Sequence, residues 1–278
     1  MSAGQFLDAT LILLGHGTTL NESSQLPVWQ HAEELRRRGI FAAVHPAFWK
    51  QTPQIHSVLT TIKSPRAFLV PVMTSEGYFA NQVIPQALGF AGRTTRQMDR
   101  TLVHYCHPVG THPRMARVLV SRATEVVARF PFPYAPKPHN LTLFIAGHGT
   151  PRHPQSRHAV EFQANLVRAL NWYAEVRDVY LDEAPYIKDC QQSASTRAVV
   201  VVPFFISDGL HVVEDIPVLL GEPERLVKER LAAGQPTWRN PSEKHGKLTW
   251  YAPAVGTAPE LSEIILERVR EADTPDKA

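Results

Sequence analysis

Gly15-His16-Gly17-Thr18 recurs as Gly147-His148-Gly149-Thr150, at an offset of 132 residues (147 minus 15), and the register holds well beyond the motif. Pro53 is answered by Pro185, Pro71 by Pro203, Gly77 by Gly209, and Ile84-Pro85 by Ile216-Pro217. The chain is therefore a duplicated unit, and each copy must satisfy the same pattern of core and turn positions. The copies diverge where chemistry is concerned. Phe79 stands where the second copy has His211, and Lys50-Gln51 where it has Asp182-Glu183. Metal-competent side chains survive in one copy, so a single working site is expected in the C-terminal half, with the N-terminal half kept as scaffold.

A chain of 278 residues exceeds a typical single domain, in agreement with the repeat. Hydrophobic residues at 44% and charged residues at 20% are ordinary for a folded globular protein. The formal charge of +3 does not point to nucleic acid, and no run of Lys/Arg interleaves with aromatics. Arg36-Arg37-Arg38 closes an expected helix, where cations oppose the negative end of the dipole. Two cysteines, Cys106 and Cys190, with no CxxC pair, make neither a disulfide framework nor a four-Cys cluster. With no secretory leader pattern and no apolar run of membrane-spanning length, a cytoplasmic location and no membrane partner are expected.

Each half reads as alternating strands and helices, so the strands should be parallel. The expected strands are Thr10–Leu14, Phe41–His45, Ala67–Val72 and Thr101–Tyr105, then Leu141–Ala146, Val176–Leu181, Ala198–Pro203 and Lys247–Tyr251. The fold class expected is α/β, with two similar domains, each a four-stranded parallel sheet flanked by helices. Helices are expected over Gln25–Arg38, Arg114–Arg129, Ser156–Leu170 and Pro259–Ala272, with Ser24 and Thr257 near their starts. Four prolines in residues 130–139 favour an extended connector. The expected organisation is thus an N-terminal repeat over 1–130, a linker over 131–139 and a C-terminal repeat over 140–278. Beyond Pro217 the offset becomes 146 (255 minus 109), because Val109-Gly110-Thr111 pairs with Val255-Gly256-Thr257. Fourteen residues (146 minus 132) have been gained between Leu220 and Tyr251, with a charged helix expected over Glu222–Ala233 and a loop over Gly234–Gly246.

Ligands of parallel α/β sheets bind at the carboxyl ends of strands. There the second half places His148, then Asp182 and Glu183, then His211 with Glu214 and Asp215 following. Imidazole, carboxylate and imidazole from three successive strand ends suit a divalent transition metal with open positions, and equally a base working near neutral pH. Each residue also has a structural explanation. His148 can be a hydrogen-bonded turn residue, and Glu214 and Asp215 can favour a helix N-terminus. The absence of a His211 counterpart in the first half shows that the fold does not require this one.

The paired Gly-His-Gly-Thr turns, Tyr180-Leu181-Asp182-Glu183-Ala184-Pro185, the stretch from Val202 through Asp208-Gly209-Leu210-His211 to Glu214-Asp215-Ile216-Pro217, and Tyr251-Ala252-Pro253-Ala254-Val255-Gly256-Thr257 together resemble the CbiX/SirB family of sirohydrochlorin chelatases. The likeness covers nearly the whole chain as a two-repeat form. It implies two chelatase-like α/β halves and insertion of Co²⁺ or Fe²⁺ into sirohydrochlorin, on the route to cobalamin or sirohaem. The partners implied are the tetrapyrrole and a divalent ion that is substrate rather than permanent cofactor, with the chain a monomer or homodimer. The resemblance puts the metal-handling histidines at His148 and His211 and the carboxylate at Glu183 or Asp182, with Glu214 as a further candidate ligand. Arg152, whose counterpart is Leu20, is expected to bind substrate carboxylates, with Thr150, Ser207, Asp208 and Gly209 as further substrate contacts. A histidine phosphatase would need an Arg beside its His, where this chain has Gly147 and Gly149. The alternative of a different class is a non-catalytic metal carrier or tetrapyrrole-binding protein derived from a chelatase.

Overall fold

Short β-branched runs alternating with amphipathic stretches build the same sheet twice in the computed structural model, which describes residues 6–17, 22–90, 94–150 and 154–274. The first sheet contains β1 (Phe6–Gly15), β2 (Phe41–Phe48), β3 (Arg66–Pro71), β4 (Thr95–Met98) and β5 (Thr101–Tyr105), in the order β2-β1-β3-β5-β4. The second contains β6 (Leu141–Gly147), β7 (Glu175–Tyr180), β8 (Ala198–Pro203), β9 (Ser242–Lys244) and β10 (Lys247–Tyr251), in the order β7-β6-β8-β10-β9.

The four expected strands of each half are parallel, but each sheet gains a fifth, antiparallel edge strand. Four-stranded sheets were expected because Thr95-Arg96-Gln97-Met98 and Ser242-Glu243-Lys244 are short and polar, and carry no apolar alternation. Edge strands are where such composition occurs, since charge there discourages pairing with other chains. The His245-Gly246 corner, expected to be loop, joins β9 to β10 with both residues at positive φ, as a two-residue hairpin requires. β2 continues past His45 through Pro46, which an outer strand tolerates because one row of its N–H groups is unpaired.

The helices are α1 (Leu26–Arg37), α2 (Ile55–Leu59), α3 (Ile84–Ala87), α4 (Met115–Arg129), α5 (Gln155–Ala169), α6 (Cys190–Ser193), α7 (Ile216–Leu219), α8 (Glu224–Ala232) and α9 (Leu261–Asp273). The N-cap positions of α1 and α9 are taken by Gln25 and Glu260, and Ser24 and Thr257 lie in short 3₁₀ turns ahead of them. Arg36 pairs with Glu33, Arg37 and Arg38 with Glu34, and Arg38 also with Glu263, so the arginine run at the end of α1 is matched by carboxylates. Among the described residues no helix is long and apolar enough to cross a membrane.

The compact units do not divide at the proline-rich stretch. One comprises Met1–His112 with Pro259–Ala278, and the other Pro113–Ala258. The last helix of each repeat thus belongs to the other repeat's unit: α9 packs on β3 and β5, and α4 on β8 and β10. Sequence periodicity cannot reveal this, because an amphipathic helix fits either of two equivalent sheets. In the second unit the inner strand β6 is buried along its whole length. Phe144, Val199, Val201, Ile216 and Tyr251 form the core under the carboxyl ends of β6 and β8. Burial stabilises each such side chain by about 1.5–3 kcal/mol. The chain leaves β6 for β7 on one side and returns to β8 on the other, so the crevice between β6 and β8 is the topological switch point where α/β sheets bind ligands.

Candidate active site

His148 leaves β6 at that switch point because two glycines shape the turn. A Cβ on Gly147 would lie 2.6 Å from Val160 Cγ2, and Gly149 takes φ +66° at a place where a Cβ would lie 2.8 Å from Glu183 Cγ and Tyr180 Cβ. The His148 carbonyl accepts hydrogen bonds from Leu181 N (3.0 Å) and Asp182 N (3.1 Å), which latch the loop after β7 beside the imidazole.

His211 opens a single π-helical turn, His211–Asp215, closed by Ile216 N–H donating to the His211 carbonyl. Pro217 follows and has no N–H to continue an α-helical ladder, which accounts for the wider turn. The first half repeats it over Phe79–Val83 ahead of Pro85, so the turn belongs to the fold and its first side chain decides its chemistry. Two further contacts position the turn. The Tyr251 hydroxyl donates to the buried Val212 carbonyl at 2.7 Å, and Gly256 N–H donates to the Phe205 carbonyl at 2.9 Å. Burial, with Asp208 adding to it, pushes the Tyr251 phenol well above its ordinary pKa, so it stays a donor.

The two imidazoles meet edge to face, with ring centroids 5.0 Å apart and planes at 89°. His148 Nδ1 lies 2.8 Å from the Gly149 carbonyl and 3.3 Å from Asp182 Oδ2. His211 Nδ1 lies 2.6 Å from Asp215 Oδ2. A carbonyl and ionised carboxylates only accept, so each neutral ring carries its proton on Nδ1 and keeps the Nε2 lone pair for a metal or a proton. Both side chains are about half exposed, at 43% and 52%, and so are open to a ligand.

Glu183 has a different setting from the one expected of a ligand. Its Oε1 accepts from Thr150 N–H at 3.0 Å and its Oε2 from Arg157 Nη1 at 3.3 Å, with the side chain only 17% exposed. Gln51, its counterpart, sits equally under the positive-φ Gly17, with Oε1 3.0 Å from where a Cβ would be. The position keeps an acceptor of the same shape in both copies, as support for the glycine turn demands. Asp182, replaced by Lys50 in the first half, is the acid beside the histidine. Among the described residues no three His, Cys, Asp or Glu side chains are arranged to hold a metal ion, so the expected set of His148, His211 and Glu183 does not assemble. Glu183 is held instead by Thr150 and Arg157.

Glu214 lines a recess of about 310 Å³ next to His211, together with Asp182, Asp215 and Glu224. Glu224 opens α8 in the fourteen-residue gain, so the insertion supplies one wall. Of these four carboxylates Glu224 is paired with Lys228 and Asp215 is bound to His211, which leaves Glu214 and Asp182 to attract a divalent cation. Asp208 accepts from Ala254 N–H at 2.8 Å, and desolvation raises its pKa. It therefore ties the loop to the strand end after β10. The Gly209 carbonyl accepts from Val212 and Val213, starting the π turn, and Ser207 lies beside it. Leu210, 45% exposed, adds an apolar surface next to His211. Arg152 lies outside the described residues.

Sequence reasoning missed the specific roles of Asp215, Tyr251 and Arg157. The spacing of four between His211 and Asp215 was a signal, since helical residues so spaced share a face. The Tyr251 contact left none, because its partner is a backbone carbonyl.

The CbiX family model matches residues 10–126 and again 142–272. A Halobacterium salinarum protein named "Probable sirohydrochlorin cobaltochelatase" is 36% identical over 281 residues, covering 95% of this chain and 92% of that protein. Two solved structures share the fold. One is a multi-domain Deinococcus radiodurans protein with structural similarity to chelatases, with a TM-score of 0.77 and 24% identity; the match covers 97% of this chain and 56% of that one. The other is the sirohydrochlorin chelatase SirB of Bacillus subtilis subspecies spizizenii in complex with cobalt, with a TM-score of 0.62, 18% identity and 96% of each chain covered.

Proposed function

The chain belongs to the CbiX family, and from that premise we propose that its second half inserts Co²⁺ or Fe²⁺ into sirohydrochlorin. The protein is a sirohydrochlorin chelatase, and Co²⁺ is favoured by its 36% identity to a protein named for cobaltochelation. The single observation carrying the assignment to the second half is the His148–His211 pair, each ring anchored through Nδ1, at the switch point of that sheet.

Insertion exchanges one M²⁺ for two pyrrolic protons, so the site must accept protons and hold the ion weakly. Nε2 of His148 and of His211 take these roles. Two imidazoles are too few to saturate the metal, which leaves positions for ring nitrogens. Asp215 orients His211, as a carboxylate behind a ligating histidine does. The acidic recess gathers the ion. Arg152, Thr150, Ser207 and Gly209 serve the substrate carboxylates and Leu210 the apolar face of the macrocycle, while Asp208 braces the loop.

Anaerobic incubation with sirohydrochlorin and Co²⁺ or Fe²⁺ tests this. Conversion of the tetrapyrrole absorption spectrum is expected at rates above the uncatalysed reaction, and an unconverted spectrum with both metals would refute catalysis.

A further inference from the structure

Where the second half gains its fourteen residues, a hydrocarbon contact of the first half is replaced by a buried charge. In the first half Phe90 is fully buried with its ring 5.4 Å from that of Tyr105, and Met98 of β4 packs against the same core. The equivalent positions in the second half hold Glu222 and Lys244. The backbone is the same in both copies. Phe90 N–H donates to the Pro85 carbonyl at 2.8 Å and Glu222 N–H to the Pro217 carbonyl at 3.0 Å, each directly after a glycine at positive φ. Trp238, from the gained segment, takes over the ring contact, 6.1 Å from Tyr251.

The Glu222 side chain is only 6% exposed. Its Oε2 accepts from Arg230 Nη1 on α8 at 2.9 Å, and its Oε1 lies 3.0 Å from Lys244 Nζ on β9. Arg230 Nη1 also donates to the Thr237 carbonyl, next to Trp238, at 3.1 Å. One carboxylate thus ties α8, the edge strand and the Trp238 segment to the end of α7, the helix that continues the His211 turn. α8 packs against that turn as well as against α7, with Val227 fully buried, and its Glu224 lines the recess beside His211. Taking three charges out of water is costly, and Phe90 and Met98 show that hydrocarbon satisfies the same fold, so stability alone does not account for the triad.

We propose that Glu222 is a positioning residue, which acts through α8 to hold the His211 turn and the adjoining wall of the recess in place for the metal ion. The proposal rests on the reading of His211 as a metal-handling residue.

The test compares the full-length parent with Glu222→Gln and with the triple variant Glu222→Phe/Arg230→Met/Lys244→Met, which removes all three charges and restores the first half's Phe and Met. The triple variant should keep the parental melting temperature, because a buried triad exchanged for hydrocarbon is commonly neutral or stabilising. In both variants amide hydrogen exchange over residues 211–215 should quicken about tenfold while β6 stays as protected as in the parent. The KM for Co²⁺ should rise about tenfold, more than kcat falls. A purely structural triad would instead move the melting temperature and leave the exchange of the turn and the KM unchanged. Parental exchange over residues 211–215 in the folded variants overturns the proposal. Exchange is measured without substrate, so a parent that converts no sirohydrochlorin would refute the chelatase reading while the positioning is still decided by exchange.

Discussion

His148 and His211, from the ends of two adjacent parallel strands, bring their rings to 5.0 Å at right angles, with each Nδ1 already bound to an acceptor. In the first half the same turn gives His16 and Phe79, with ring centroids 4.6 Å apart. The duplication thus provides an internal control, with one histidine of the pair replaced by a hydrocarbon ring on the same backbone.

Replacing His211 or His148 with Ala should abolish metal insertion while the circular dichroism spectrum stays parental, because both side chains are half exposed and outside the core. His16→Ala should leave turnover within about twofold, since a single imidazole against Phe79 lacks a partner. Comparable losses in all three variants would remove the asymmetry between the halves.

Asp215→Asn keeps the shape but removes the charged acceptor behind His211. Loss of such a support typically lowers activity or metal affinity about 10–100-fold. Steady-state insertion kinetics and metal titration should both show it, and a change in neither would leave Asp215 without this role.

For Glu183 the contacts predict a structural role. Glu183→Gln should retain most activity, because Gln51 occupies the same place in the first half, whereas Glu183→Ala should cost about 1–3 kcal/mol by removing the acceptor of Thr150 N–H and one of the acceptors of Arg157. Urea denaturation measures the second effect. Complete inactivity of a well-folded Glu183→Gln would restore Glu183 as a metal ligand.

The turn bearing His211 should depend on residues that never touch substrate. A Cβ on Gly256 collides with the backbone carbonyl of Ile206, so Gly256→Ala should cost about 3 kcal/mol or more. Tyr251→Phe leaves the Val212 carbonyl without its donor and should cost about 1–3 kcal/mol with a lowered kcat. Parental melting temperature and kcat in both variants would argue against this bracing.

Stability of the first half should fall in mild acid. Desolvation holds His16, His45 and His104 below the ordinary histidine pKa, with the Lys50, Arg36 and Arg66 cations contributing respectively. The unfolded chain then binds protons first, so this contribution is fully present above about pH 6.5 and is lost as pH falls through the folded pKa values. Urea midpoints should drop between pH 7.5 and 5.5, less so in His16→Gln; a flat profile, or an unchanged drop in that variant, would exclude His16.

The sequence by itself determined the duplication, the parallel core strands and the loops bearing His148 and His211, because repeat register and β-branched runs are local properties of a chain. It also showed where the copies differ, since Phe79 against His211 is visible in the alignment of the halves. Only the tertiary structure showed that Asp182 and Glu183 have different surroundings. Adjacent residues leave a turn in different directions, and the hydrogen-bond demand of Thr150 and Arg157 claims one of them. The exchange of α4 and α9 between units, and the support of His211 by Tyr251, were equally hidden. Each depends on which of several compatible surfaces meet, and that choice is made by packing over long separations in the chain.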